Sequence, residues 1–566
     1  MTSKKTFWLL LAVCVLTVIP FLGLCDYNTK GEPRESIVSY TMIESGNWTL
    51  PLNSVGEMAY KPPFFHWCVA AVSVVLGELN EFTSRIPSAV AYIVLTLSVF
   101  LFFHSRRGTR VAFLTALVTF TSWELHRQGG NCRVDMLLTM FTVLALMSLY
   151  QWWEDGMGGV PLLAILMMSL GTLTKGPVGT LIPCLVMGVF LLCRKVKFWR
   201  AFIPLFIFGL LSLILPAIWY YAAWKQGGQE FLDLMLEENV GRMTQTMSYD
   251  SCVNPWYYHF ITLTVGYLPW TLLALMTLFV VDWKRLRRQW PGVRQLWSRV
   301  SVQKMHSLDL FSLVAVLVVF LFYCFPQSKR SVYIMPLYPF LGYFIARLLF
   351  WVDANHRRVL TVYGGFLSVA GLLLALIFVV IKFIPAHLEW FHGRHAFENF
   401  SMFYNLQHTG SWWVWCLWLL GVALLAWWWI SQRSVLGVVV MILAIYIHVD
   451  GVYKPPVLNA KSVKSVAAVV DEVAPESTGR LYEFIEAGVM AAGDPVHYFE
   501  LNYYLHDRVG DFYRQRPQSG FLMVGADDWK KWHEKFEREG YRFTPVYDSG
   551  DKRVMRQQLL LLRFEK

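Results

Sequence analysis

The residues best equipped for chemistry are polar side chains placed where long apolar runs end. From Cys25 to Trp67 the chain reads CDYNTKGEPRESIVSYTMIESGNWTLPLNSVGEMAYKPPFFHW, with Asp26 closing the first apolar run. Glu32, Arg34 and Glu35 follow, and Lys61 precedes Pro62-Pro63. Arg133-Val134-Asp135 stands just before another apolar run, and Lys175 separates two more. Glu237, Glu238 and Arg242 fall on an expected interfacial helix, and Lys329-Arg330 abuts Val332-Tyr333. A carboxylate at the membrane edge facing a protein cavity suits general-base work. A lysine or arginine at that depth suits a phosphate. Each residue also has a plainer reading: a solvated loop capped by a helix over 33–44, a helix N-cap at Asp135, a solvated charged face at 237–242.

Long apolar segments must position these residues. Thirteen runs are apolar enough to span a bilayer: 6–25, 88–104, 111–124, 136–153, 160–174, 178–193, 201–222, 258–281, 308–325, 332–351, 359–384, 411–431 and 434–449. A further run, 64–77, follows Pro62-Pro63 and has the length of a re-entrant or interfacial helix. Lys4 and Lys5 start the chain on the cytoplasmic side, and no small-residue cleavage site follows, so the first run reads as an anchor. Alternate counting then puts the clusters Arg106-Arg107, Arg194-Lys195, Lys284-Arg285, Arg357-Arg358 and Arg433 inside, as the positive-inside rule requires. The outer loops become 26–87, 125–135, 175–177, 223–257, 326–331 and 385–410, with everything after 450. Four separate basic sites (Lys61, Lys175, Arg242 and Lys329/Arg330) thus converge on one face, as a lipid-linked phosphate would need.

Composition agrees. Over 566 residues the chain is 56% hydrophobic and 16% charged, with mean hydropathy +0.43, whereas soluble domains are about 25% charged. This excludes an ordinary soluble enzyme, and 25 tryptophans suit two membrane–water interfaces. The net charge of +11 is accounted for by cytoplasmic loops, so no nucleic-acid partner is expected. Nine scattered cysteines show no metal-ligand spacing. After residue 450, helical patterns (461–473, 527–538) alternate with β-rich runs (521–524, 559–565). Residues 1–450 are therefore expected to form a transmembrane catalytic domain and 451–566 a small extracytoplasmic α/β domain.

The blocks GEPRES, IESGNWTLPLNS, YKPPFFHW and NEFTSRIPSA (80–89) resemble the first outer loop of the membrane glycosyltransferases with a GT-C fold. So do RVDMLLTMF (133–141), LTKGPVG (173–179), EFLDLMLEENVGRM (230–243), NPWYYHF with GYLPW (254–270), and QSKRSVYIMPLYPF (327–340). They stand in order over roughly residues 1–350. The subgroup resembled includes bacterial transferases that place 4-amino-4-deoxy-arabinose on lipid A, and the wider group includes protein O-mannosyltransferases.

The resemblance implies an all-α polytopic GT-C-like protein of about thirteen spans in the cytoplasmic membrane. It implies transfer of a sugar from a polyprenyl-phosphate donor to a lipid or protein acceptor on the outer face. In such families a first-loop carboxylate is the base, often within an Asp-Glu pair. Here that pair is Gly31-Glu32, which leaves Glu32 or else Asp26. Lys61 matches the donor-phosphate lysine, Arg242 and Lys329 match further basic positions, and Lys175 and Arg330 add to the same charge. Arg34, Arg133, Asp135 and Glu238 would support, with Asp135 orienting Arg133 or the sugar. Some relatives hold a divalent metal through a Glu and a His before the Pro-Trp block. Residues 248–256 contain no histidine, and no metal ligand or cofactor is assigned. Two rival readings are a flippase for lipid-linked sugars, which wants charges near the midplane, and a polysaccharide polymerase or ligase, which wants one long late outer loop.

Overall fold

In the computed structural model, residues 2–59, 61–238, 253–284, 305–393, 395–431, 433–487 and 496–566 are described. Arg242, the expected interfacial position 239 and the basic cluster at 285–288 lie outside the described residues. Among the described residues nine helical elements are long and apolar enough to cross a membrane, or ten if the bent pair Tyr258–Gly266 and Trp270–Leu278 forms one span. The expected count of thirteen is not confirmed on length and composition, which count one bent element once and leave out two short helices.

First, the runs at 88–104 and 111–124 fall in one helical element, Glu81–Phe120, interrupted at Gly108, whose φ of +78° is open to glycine. The two arms fold back on each other: the Tyr92 and Phe120 rings stack at 4.7 Å, although a continuous helix would hold residues that far apart in sequence about 40 Å away. Second, the runs at 160–174 and 178–193 become the shorter helices Leu162–Lys175 and Val178–Cys193. At about 1.5 Å per residue these fall short of a hydrocarbon core of roughly 30 Å. The run at 64–77 forms the 13-residue helix Phe64–Leu76, shorter still.

The bundle has two unlike ends. At one, Arg107 and Arg347 pair with Asp309 at 2.6 and 2.8 Å. Arg194 donates there to the Met305 carbonyl at 3.2 Å, and Arg106 Nε to Glu154 at 2.8 Å. The other end carries helix Gly31–Ser45, the loop to Pro63, the start of helix Val134–Glu154 and the end of helix Leu162–Lys175. The apolar helix starting at Val435 runs through a π-helical turn, His448–Tyr453, to Asn459.

A five-stranded mixed sheet then follows, in the order β2-β1-β3-β5-β4. β1 (Leu481–Phe484) pairs parallel with β2 (Val509–Asp511) and β3 (Ser519–Gly525). β5 (Gln557–Glu565) pairs antiparallel with β3 and β4 (Arg542–Val554). Helices Lys464–Val473 and Ala526–Arg538 complete this α/β unit. It sits on the second end of the bundle: Tyr504 donates to Glu81 at 2.7 Å, Tyr503 to the Leu79 carbonyl at 3.1 Å, and Arg514 to Glu57 at 2.9 Å.

Candidate active site

Helix Gly31–Ser45 starts the site. It stops at Gly46 in the left-handed region (φ +66°), where the chain turns back. Asn47 ties the turn by donating to the Leu50 carbonyl at 2.9 Å and accepting from the Thr49 and Leu50 amides at 3.2 and 3.1 Å. The strand-like bridge Leu52–Met58 then brings Lys61 to Pro62-Pro63, just ahead of the helix carrying His66. Lys61 Nζ ion-pairs with Glu35, and the other Glu35 oxygen lies 3.0 Å from His66 Nε2. Arg34 lies 3.7 Å from the same carboxylate.

A second cluster forms where two helix ends meet. Asp135 stands in the first turn of helix Val134–Glu154, and Lys175 is the last residue of helix Leu162–Lys175. Each is favoured there by the helix dipole. The Asp135 carboxylate ion-pairs with Lys175 and lies 3.7 Å from Arg133. Lys175 Nζ rests 4.5 Å from the Tyr333 ring centre, a cation–π contact. Lys61, Asp135, Lys175, Glu238, Tyr323 and Tyr333 line one cavity of ≈ 200 Å³.

The Lys61 ammonium is drawn down to about 7 by burial, with Arg34 and Arg133 adding to the fall and Glu35 opposing it. Burial alone would raise the Glu35 carboxyl, but Lys61, His66 and Arg34 hold it well below the usual carboxylate range. The cavity therefore faces bound cations whose carboxylate partners stay ionised.

Several residues expected from sequence lie elsewhere. Glu32 is buried behind the helix, accepting from Arg85 Nε at 2.8 Å, Arg85 Nη2 at 3.1 Å and the Cys132 amide at 2.8 Å. Arg85 also donates to the Leu22 and Cys25 carbonyls, both at 2.7 Å. Burial works to raise the Glu32 carboxyl, yet Arg85 and the Cys132 amide hold it below its ordinary value. Asp26 faces the linker to the sheet: its amide donates to Asn459 at 2.9 Å and its carboxylate lies 3.6 Å from Lys464. Neither Glu32 nor Asp26 lines the cavity. Their oxygens point to partners supplied by distant parts of the chain.

Lys329 is buried and donates to the Asn254 carbonyl at 3.0 Å; its neighbour Ser328 lines the cavity. Arg330 precedes the turn Ser331–Leu337. Arg133 packs across Gly31, where a Cβ would run into its Nη1. The position at which the resemblance would place an aspartate is crossed here by a guanidinium.

Two groups went unread in the sequence. His66 is 1% exposed inside an apolar helix, and a histidine in such a run is itself a signal. His126 and Asp450 meet at 2.6 Å, with Lys454 3.6 Å from Asp450. Their 324-residue separation leaves no sequence signal.

Known proteins agree with this architecture. The profile of the dolichyl-phosphate-mannose-protein mannosyltransferase family matches residues 60–221. An uncharacterised protein of Aquifex aeolicus (strain VF5) is 26% identical over 349 residues, 59% of this chain and 63% of that one. The undecaprenyl phosphate-alpha-4-amino-4-deoxy-L-arabinose arabinosyl transferase of Enterobacter sp. (strain 638) is 23% identical over 439 residues, 74% of this chain and 71% of its own. The chain thus spans less than two thirds of the first relative and somewhat more of the second. The crystal structure of ArnT from Cupriavidus metallidurans bound to undecaprenyl phosphate superposes with a TM-score of 0.68 at 16% identity, covering 99% of this chain and 98% of that one. The chain therefore shares the fold of that ArnT structure over nearly its whole length, and in sequence it is similar to the arabinosyl transferases and, over residues 60–221, to the mannosyltransferase family.

Proposed function

We propose that this protein is a membrane glycosyltransferase that moves a sugar from a polyprenyl-phosphate carrier to a lipid or protein acceptor, at the end of the bundle that carries the sheet domain. That end faces away from the cytoplasm in this reading, because the arginine-rich end satisfies the positive-inside rule. The observation that carries the reading is the junction of two cavities. The ≈ 200 Å³ cavity holding Lys61 and Lys175 shares Pro177 and Leu181 with an apolar groove of ≈ 560 Å³ between helices Val178–Cys193 and Phe198–Ser212. A phosphate against two lysines with an isoprenoid tail in an apolar groove fits that shape. The undecaprenyl phosphate named with the Cupriavidus structure supports the same donor class.

The reaction is then a displacement at the anomeric carbon. The bond to the carrier phosphate breaks, and the charge that develops on the phosphate is met by Lys61 and Lys175, preorganised by Glu35 and Asp135. Arg133, held over Gly31, adds a third cation within reach of Asp135. Among the described residues Asp135 and Glu238 are the carboxylates on the cavity wall, and the acceptor's proton leaves to one of these rather than to Glu32 or Asp26. The relatives' substrate, an arabinosyl carrier, places an amino-pentose among the first donors to try.

The test is transfer of radiolabel from undecaprenyl-phosphate-linked sugars to membrane lipid and protein, using wild type, Lys61→Met, Lys175→Met, Asp135→Asn and Glu238→Gln. Label should reach one acceptor class with wild type and be lost with the lysine variants. No transfer from any donor, with labelled carrier still crossing the membrane, would replace the transferase by a flippase.

A further inference from the structure

Behind Lys61 lies a second pocket that the displacement above does not use. Arg34, Glu35, Asn53, Lys61 and His66 are among the residues that enclose it, and its volume is ≈ 10 Å³, about the size of one water. Two of these residues carry buried polar atoms without a hydrogen-bond partner among the described residues: His66 Nδ1 and Asn53 Oδ1. Their side chains belong to residues only 1% and 4% exposed. Buried polar atoms of this kind are normally satisfied by an ordered water. One water in the pocket has an acceptor in Asn53 Oδ1 and a partner of either sense in the imidazole. His66 Nε2 meets Glu35 at 3.0 Å, and the other Glu35 oxygen meets Lys61. A continuous path of proton-carrying groups therefore runs from the pocket through His66 and Glu35 to the Lys61 ammonium, which faces the reaction cavity on its other side.

We infer that His66, Glu35 and a water in this pocket form a proton relay that serves Lys61, which gives a proton to the departing lipid phosphate. This deepens the donor-phosphate reading above and rests on it. As the bond between the anomeric carbon and the phosphate oxygen breaks, its electron pair stays on the phosphate. A phosphate oxygen takes one Nζ proton from Lys61, leaving a neutral amine and a singly protonated phosphate monoester. The amine recovers its proton from His66 by way of Glu35, and His66 recovers one from the pocket water and solvent. The acceptor oxygen releases one proton to a cavity carboxylate and so to solvent, and the cycle balances.

The electrostatic setting agrees with the geometry. Lys61 is faced by Glu35 and Arg34 from helix Gly31–Ser45, by His66 from helix Phe64–Leu76, by Arg133 and Asp135 at the head of helix Val134–Glu154, and across the cavity by Lys175. Burial and the neighbouring guanidiniums bring its ammonium down to about 7, close to operating pH, where proton transfer is most effective. Because the value is lowered, the protonated form is lost as pH rises through it. The donor kcat/KM, which reports the free enzyme, should fall above about pH 7.

The experiment uses the full-length enzyme, an undecaprenyl-phosphate-linked sugar that wild type transfers, and undecaprenyl phosphate alone as a binding probe. Lys61→Arg keeps a cation that does not give up its proton near neutral pH. It should bind undecaprenyl phosphate nearly as wild type does and lose about 10²-fold in kcat. His66→Gln keeps a donor to Glu35 without a titrating ring. It should leave donor KM unchanged and lower kcat by about tenfold or more, while the fall above about pH 7 set by Lys61 remains. Wild-type kcat in Lys61→Arg, or in His66→Gln across the pH range, would overturn the relay while leaving the donor-phosphate reading intact. If Lys61→Arg fails to bind the probe, His66→Gln alone decides. If wild type transfers from no donor, the donor-phosphate reading falls first and the relay with it.

Discussion

Glu32 and Glu35 are one helical turn apart on the same helix, yet they are put to opposite uses. Glu32 meets Arg85 through both oxygens, takes a third hydrogen bond from the Cys132 amide, and is sealed behind the helix. Glu35 meets Lys61, whose side chain remains 17% exposed and opens on the cavity. Both carboxyls are held ionised by neighbouring cations. The contrast is in the partner. Arg85 spends its other donors on the Leu22 and Cys25 carbonyls and ties the first apolar run to helix Glu81–Phe120. Lys61 has room to turn toward a ligand. Ionisation at a membrane edge therefore does not mark a reactive group; the opening of the partner cation onto the cavity does.

Glu32→Gln is the strongest way to break this comparison. It strands a buried guanidinium and should remove about 3–5 kcal/mol of stability, read as a fall in Tm of the purified protein in detergent. Glu35→Gln should cost clearly less, because Lys61 can relax into the cavity; equal losses would erase the distinction. Lys61→Met leaves Glu35 with His66 and Arg34, so it should lower Tm by less than Glu32→Gln does while lowering transfer by about 10²–10³-fold, as expected for loss of one preorganised cation. A variant that unfolds instead would move Lys61 to the structural side.

A third buried pair tests the structural side from a distance. His497 of the sheet domain meets Glu483 and lies 3.6 Å from Glu57 of the first loop. Burial lowers its imidazolium, but the two carboxylates outweigh this and raise it to about 10 from an ordinary 6.5. A raised value means the stabilisation is complete below about 6.5 and is lost as pH rises through about 10. His497→Gln should cost about 1–2 kcal/mol near neutrality and remove that alkaline slope from Tm measured against pH. Smallest of all, Gly31→Ala pushes a Cβ into the Arg133 guanidinium, a flexible side-chain end able to shift. A stability change of about 1 kcal/mol or less, with a raised donor KM, would place Arg133 on the cavity side.

Much of the fold was legible because hydropathy is local. The runs beginning near 6, 136, 308 and 359 became helices Ser3–Val18, Val134–Glu154, Ser307–Cys324 and Arg357–Ile381, and the β-rich runs at 521–524 and 559–565 lie within β3 and β5. At Gly108 one helical element turns into two arms that carry the separate runs at 88–104 and 111–124; the count of thirteen is unconfirmed where helices are too short for a full crossing. For the candidate site, Lys61, Lys175, Asp135 and Glu238 stood out as polar residues at the edges of apolar runs, and they line one cavity. Glu32 and Asp26 stood out in the same way and line something else. His66 looked like part of an apolar helix.

The sequence by itself determined where apolar helices form, because in hydrocarbon each backbone polar group must be satisfied within its own segment. It also determined which polar residues end up near the membrane edge. Only the tertiary structure decided which cation meets which carboxylate. Glu32 and Arg85 are 53 residues apart and Asp135 and Lys175 are 40 apart, so each pairing depends on how helices pack. A Coulomb contact depends on distance and burial, and neither is written in the local order of residues.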